Sequence, residues 1–310
     1  MPRGGITTIM ASRVDPKGLE SGVAAAVPAA DLAASNIRFG VIACLMVVAF
    51  WRILASMYGS WFDEGSYMEH GILVFPAALY MVWVQRDRLR QIPLQPSGWG
   101  VVILFEGAAQ AILGTAAQWV WVSRTAFLIS LVGAIAAVYG WKMVRQLIYP
   151  LATLILMIAP PTFVFERLTL NLQLLASRLG EFCLDALGYS VLREGNVLQL
   201  PGISLSVEEA CSGIRSLLAI LFLCVMYNYF FVQGNRMRTF LLLMSVPVAI
   251  LGNALRIIAS GIAGQYNPQL VQGTVHEAFG YVSVVVAGIG CVALHLGTLR
   301  IQKVWRVHHV

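Results

Sequence analysis

The amino-acid sequence predicts an all-α polytopic membrane protein of about eight transmembrane helices, with a small helix and a hairpin capping its outer face. Three observations carry that expectation. Of 310 residues, 58% are hydrophobic and 12% charged, against roughly a quarter charged in an average soluble domain. Several runs reach the ~20 mostly apolar residues that a helix needs to cross the hydrocarbon layer at about 1.5 Å per residue. Short basic clusters also alternate along the chain with acidic loops, which is how membrane proteins encode sidedness.

Residues 1–36 are rich in Ala, Gly and Ser, and their best apolar stretch, Val23 to Ala30, is short and interrupted by Pro28. That makes a poor signal peptide and predicts a disordered cytosolic tail. The transmembrane domain follows over 37–303, with a short cytosolic tail at 304–310. Long apolar runs give eight spans: Phe39 to Met57, Gly71 to Val84, Gly98 to Leu113, Thr125 to Trp141, Leu147 to Phe165, Gly213 to Val232, Thr239 to Ser260, and Ala278 to Leu299. The second and third are the shortest.

Arg86, Arg88 and Arg90, then Lys142 and Arg145, then Arg236 and Arg238, and finally Arg300, Lys303 and Arg306 lie between alternate spans. By the positive-inside rule these loops and both termini face the cytoplasm. The other loops carry most of the acids: Asp63, Glu64 and Glu69; Glu166, Glu181, Asp185 and Glu194; Glu208, Glu209 and Glu277. The longest outer segment, 166–212, has its own organisation. Leu168, Leu172, Leu175, Leu179, Phe182 and Ala186 recur at alternating four and three, as on one apolar helix face lying along a membrane surface. Tyr189 to Arg193 and Val197 to Leu200 flank Glu194, Gly195 and Asn196 as a small hairpin, and Ile203 to Val207 alternates like an edge strand.

The net charge of +6 is distributed in those short clusters and not on one stripe, so no nucleic-acid partner is expected. Five cysteines, Cys44, Cys183, Cys211, Cys224 and Cys291, lack C-x-x-C spacing. Neither a disulfide framework nor a metal site or cofactor is indicated.

Ionisable side chains inside a span are costly and usually face the bundle interior or a watery cavity. Cys211 and Arg215 open the sixth span from outside, Asn253 and Arg256 lie near the outer end of the seventh, and His276 opens the eighth. Each alone has a plain reading: a Cys packs as a small hydrophobe, a His caps a helix, an Arg snorkels to headgroups. Their convergence at one depth, on three consecutive spans, is what marks a site. Ser206 with Glu209, and Thr274 with Glu277, have capping-box spacing, which puts Cys211 and His276 in opening helical turns. The helix dipole and Arg215, four residues on, favour a thiolate at Cys211, while Glu208 and Glu209 oppose it, so the sign of the shift stays open. A Cys, a His and an Arg together can perform acyl transfer: a thiolate attacks a carbonyl, an imidazole shuttles a proton, and a guanidinium steadies the oxyanion. His295, deep in the last span, reads as a packed histidine.

The segment Val207-Glu-Glu-Ala-Cys-Ser-Gly-Ile-Arg-Ser-Leu217, followed by Asn253-Ala-Leu-Arg256 and then His276, resembles the exosortase/archaeosortase family of membrane cysteine transpeptidases. Gly195-Asn196, Leu200-Pro-Gly202 and Tyr67-Met-Glu-His-Gly71 with the following Leu73 and Pro76 extend the resemblance, which runs from Trp61 onward. It implies a nucleophile at Cys211, with Arg256 and His276 completing the site and Arg215, Asn253 and His70 as secondary candidates. It further implies a multi-pass protein of the bacterial inner membrane, its site facing outward, whose partners besides membrane lipid are secreted proteins tethered by a carboxy-terminal sorting signal. Such a signal is a short motif such as Pro-Glu-Pro, then a membrane helix and basic residues. Chemistry favours His276 for proton transfer and Arg256 for charge stabilisation, with an Arg proton-donor role also open.

Two other functions compete. Paired Glu208 and Glu209 suggest a CAAX-type intramembrane metalloprotease, but that pattern needs an Arg four residues after the second Glu, and Arg215 lies six after it. A transporter or channel would use Arg256 and its polar neighbours as a gate, and would be favoured by inverted repeats or paired broken helices, neither of which the sequence displays.

Overall fold

A computed structural model describes residues 28–63, 67–207, 214–271 and 273–308. Its helices are α1 (Ala29–Ala49), α2 (Trp51–Phe62), α3 (Gly71–Val84), α4 (Gly98–Ala116), α5 (Val120–Val138), α6 (Trp141–Gln146), α7 (Ile148–Thr153), α8 (Thr162–Ala186), α9 (Ile214–Phe231), α10 (Asn235–Tyr266) and α11 (Gly273–His308). Among the described residues six are long and apolar enough to cross a membrane, namely α1, α4, α5, α9, α10 and α11; a bent pair would make a seventh, and α3 is a shorter apolar helix. The protein is an all-α polytopic membrane fold, and its described residues hold six or seven such helices where the sequence suggested about eight spans.

Several boundaries differ from the sequence reading. Helix α1 starts at Ala29, inside the segment expected to be a tail, and ends at Ala49, with a break at Phe50 before α2. At the other end α11 runs to His308, so most of 304–310 is helical as well. The expected span Leu147 to Phe165 is not one helix. A 3-10 turn, Leu154–Met157, follows α7 and the chain then bends by 78° into α8. Pro160 and Pro161 stand at the bend, where they lack N–H donors and push the preceding residue out of helical geometry.

Close approach of backbones builds the first half of the bundle. On α4, Gly100, Gly107 and Gly114 all face α5; a Cβ at 107 would overlap Ser130 Oγ, and one at 114 would sit 2.8 Å from Ser123 N. Small residues at a membrane-helix interface allow this packing where no hydrophobic force drives association. Met57, Val74, Ala78, Ala126, Leu154 and Met157 form the core among α2, α3, α5 and the turn after α7. Arg124, buried at the start of α5, donates to the Ser56 carbonyl at 2.9 Å.

The second half is capped by a three-stranded antiparallel sheet of β1 (Leu192–Glu194), β2 (Val197–Leu200) and β3 (Ile203–Ser206). Gly195 takes φ +67° at the β1–β2 turn, a left-handed conformation that glycine adopts cheaply. Leu198 faces Leu205 across the β2–β3 pair, and both are buried with Ala176, Leu184 and Ile257. Helix α8 meets this core through Gln173, Ala176, Ser177, Gly180 and Leu184. Of the expected leucine stripe, Leu168, Leu175 and Phe182 stay exposed, while Leu172 and Leu179 are half-buried. Ser177 Oγ donates to the Gly195 carbonyl at 3.1 Å, and Arg193 pairs with Glu181 at 2.7 Å, fixing the sheet to α8.

Candidate active site

Helices α9, α10 and α11 pack on one another in layers, with α10 antiparallel to its two neighbours. In the deepest of these layers Ile220, Ala249 and Ala287 meet. One turn further, Leu217 and Asn253 line a small cavity with Leu172 and Ala176 of α8, and Gly252 abuts the Ser283 carbonyl and Ala287 Cβ. The next layer holds Arg256, whose guanidinium lies on Gly280 so closely that a Cβ there would be 3.2 Å from Cζ and Nη1 and 3.3 Å from Nη2. Any larger residue at 280 would occupy the space that the guanidinium fills.

Position 276 stands four residues, about one helical turn, before Gly280 on α11, on the same side of the helix axis. The helix begins at Gly273, so Thr274 lies inside the first turn and not at the cap position that the sequence suggested. Of His276 the structure describes the backbone alone. Cys211, with Glu208 and Glu209, lies outside the described residues, immediately before α9. The capping box proposed for Ser206 and Glu209 therefore lies outside them too.

Two buried polar side chains, Asn253 and Ser260, lie on this stretch of α10. Asn253 Oδ1 and Ser260 Oγ are both buried with no hydrogen-bond partner among the described residues. Ser260 lies one turn beyond Arg256, which by the antiparallel layering brings it level with position 276. Between them Ile257, fully buried, is held by Gly180 of α8 and by the sheet residue Leu198. The cap thus fixes the α10 segment that carries Arg256.

Arg215 and His70 belong to a different edge of the site. The Arg215 guanidinium pairs with Glu69 at 3.1 Å and lies 5.4 Å from the centre of the Tyr67 ring, which in turn stacks on Phe165 at 5.8 Å. Both charged side chains of that pair are about 40% and 39% exposed, where an ion pair contributes only ~0–1 kcal/mol. The pair serves geometry, tying the loop before α3 to the first turn of α9. His70, next in that loop, is buried and donates through Nε2 to the Leu156 carbonyl at 3.1 Å. Burial lowers its pKa below the ordinary histidine value, and that hydrogen bond raises it in part, so a neutral ring bracing the bend after α7 is its evident role.

The structure thus gathers Asn253 and Arg256 at the α9–α10–α11 junction and sets Arg215 and His70 on its flank. Sequence reasoning assigned no site role to Glu69, Tyr67, Ser260 or Gly280. Gly280 alone had a local signal, a residue without a side chain four positions after His276 on one helical face. His295 accepts or donates a 2.8 Å bond with the Tyr227 hydroxyl, far along α11 from position 276.

A family model described as transmembrane exosortase matches residues 61–293. No curated protein and no solved structure matches the chain.

Proposed function

We propose that this chain, which belongs to the transmembrane exosortase family, cuts membrane-tethered secreted proteins at a carboxy-terminal sorting signal by means of a thioester on Cys211. The observation that carries this reading is the Arg256 guanidinium lying against Gly280, one turn from His276. Relative to the Asn253 layer, Arg256 is three residues on, His276 is seven before Ser283, and Cys211 is six before Leu217. Arg256 and position 276 therefore belong to the one or two turns beyond that layer, at the end of the bundle that carries the sheet, and Cys211 precedes the first turn of α9 in the sequence.

In this mechanism the Cys211 thiolate attacks the scissile carbonyl, and Arg256 steadies the oxyanion that develops. As the C–N bond breaks, His276 delivers a proton to the leaving amine. The amine departs with the membrane helix of the signal, and the upstream protein remains as a thioester. An incoming hydroxyl, amine or water then attacks that carbonyl and gives its proton to His276, and the Cys211 thiolate leaves. The site faces outward, and both termini face the cytoplasm, in keeping with the basic loops after α3, α5 and α9. The exposed leucine face of α8 supports a helix resting on the outer membrane surface.

Replacing each cysteine in turn tests this reading. Cys211→Ala is expected to abolish processing of a co-expressed sorting-signal substrate, whereas Ala at Cys44, Cys183, Cys224 or Cys291 leaves it intact. Continued processing by a normally accumulating Cys211→Ala protein would overturn the thioester route.

A further inference from the structure

Between α1, α3, α5 and α7 lies a cavity of about 560 Å³, within the range of roughly 300–1,000 Å³ typical of ligand pockets. It is set apart from α9, α10 and α11, and α1, which forms one wall, precedes the 61–293 segment matched by the family. Its lining is apolar except for Asn36, Arg86, Arg90 and Tyr139. Those four collect at one end: Asn36 in the early turns of α1, Tyr139 at the close of α5, and the two arginines just past α3. The far end is walled by Val47, Phe75 and Phe127.

Eleven residues separate Asn36 from Val47, and eleven separate Phe75 from Arg86, which is about 16 Å of helix at 1.5 Å per residue. That length is half of the ~30 Å hydrocarbon layer, the depth of one leaflet. At the polar end Arg86 stacks 4.4 Å over the Trp83 ring and donates to its carbonyl at 3.1 Å, which holds its side chain at the mouth. Asp87 lies 3.9 Å from Arg86 and 3.8 Å from Arg90. With Arg88 the turn carries three cations against that one carboxylate, so its field favours an anion. The Tyr139 hydroxyl donates to Asn36 Oδ1 at 2.9 Å and closes the wall between α5 and α1.

We propose that this cavity is a binding site for an anionic glycerophospholipid, with one acyl chain in the apolar channel and the phosphate at Arg86 and Arg90. A leaflet-deep apolar groove ending in paired guanidiniums matches that molecule in length and charge. The membrane helix of a sorting-signal substrate fits less well, because a helix is about 10 Å across and its basic tail would meet the arginines. A second copy of this chain would bring like charges to the same place. The phosphate belongs to the leaflet that the basic loops face.

The test is native mass spectrometry of the full chain purified in detergent with equimolar phosphatidylglycerol and phosphatidylcholine, with inorganic phosphate as competitor. The wild type is expected to retain phosphatidylglycerol preferentially, and millimolar phosphate should not displace it. Each arginine near an anionic headgroup contributes about fivefold, so Arg86→Gln with Arg90→Gln should reduce the preference by at least about fivefold. Ala43→Trp, which plugs the channel from α1, should reduce retention of both lipids. Equal retention of the two lipids by the wild type, displacement by phosphate, an undiminished preference in the double variant, or unchanged retention by Ala43→Trp would each overturn the proposal. None of these outcomes depends on Cys211 chemistry.

Discussion

Adding a side chain at Gly280 should separate activity from stability. A Cβ at that position would lie 3.2–3.3 Å from Arg256 Cζ, Nη1 and Nη2, a few tenths of an ångström inside the ~3.5–4.0 Å optimum for non-bonded atoms. Alanine therefore moves the guanidinium by less than 1 Å, and valine by more. Misplacing a group by about 1 Å costs on the order of 100-fold in rate, and losing an oxyanion donor outright costs about 100-fold to 1000-fold. Gly280→Ala should thus turn over roughly tenfold more slowly and Gly280→Val about 100-fold more slowly. Intrinsic propensity runs the other way, since replacing a glycine inside a helix by alanine gains ~0.5–1 kcal/mol. The assay is cleavage of a tethered sorting-signal substrate by purified protein in liposomes, beside a melting curve of each variant. Wild-type turnover by a stably folded Gly280→Val would refute the claim that Arg256 acts from this position.

Other expectations follow from the same geometry. Arg256→Lys keeps the charge and loses the planar fork, so it should insert normally yet lose about 100-fold to 1000-fold in turnover; His276→Ala should be comparably impaired. Arg215→Lys and Glu69→Gln, which alter a partly exposed pair, should change turnover and melting far less, within about 1 kcal/mol. Gly107→Leu would drive a side chain into the α5 backbone and should lower the melting temperature or abolish accumulation, whereas Gly59→Leu, where nothing lies within 4 Å of the added atom, should be tolerated. Reporter fusions after Arg90, Arg145, Arg238 and the carboxy terminus should report cytoplasm, and one after Glu194 the outer side; a cytoplasmic result at Glu194 would invert the site.

Uniform apolar runs made α4, α5, α9, α10 and α11 legible in the sequence, because each buries its own backbone hydrogen bonds and needs no partner to declare its type. The hairpin and edge strand were legible for a local reason too, in the Gly195-Asn196 turn and the alternation of Ile203 to Val207. Misreadings arose where hydropathy and backbone chemistry disagree. Leu147 to Phe165 is apolar enough for a span, but Pro160 and Pro161 turn the chain at its end. Residues Ala29 to Asn36 looked like a tail because Ala and Ser carry little hydropathy, yet they are good enough helix formers to extend α1. Cys211, Arg256 and His276 stood out by their cost inside a membrane and by their order along the chain. Glu69 on Arg215 and Ser260 opposite position 276 depend on the register between helices, which no local pattern specifies.

Direct capture of the acyl-enzyme bears most closely on the central claim. Purified protein would be mixed with a tethered sorting-signal substrate, quenched in acid within a turnover, digested and read by mass spectrometry. The expected result is the upstream substrate fragment joined to Cys211 alone, released by neutral hydroxylamine, accumulating less in His276→Ala and absent from Cys211→Ala. An adduct on any other residue, or substrate cleavage at the wild-type rate in Cys211→Ala, would contradict the account.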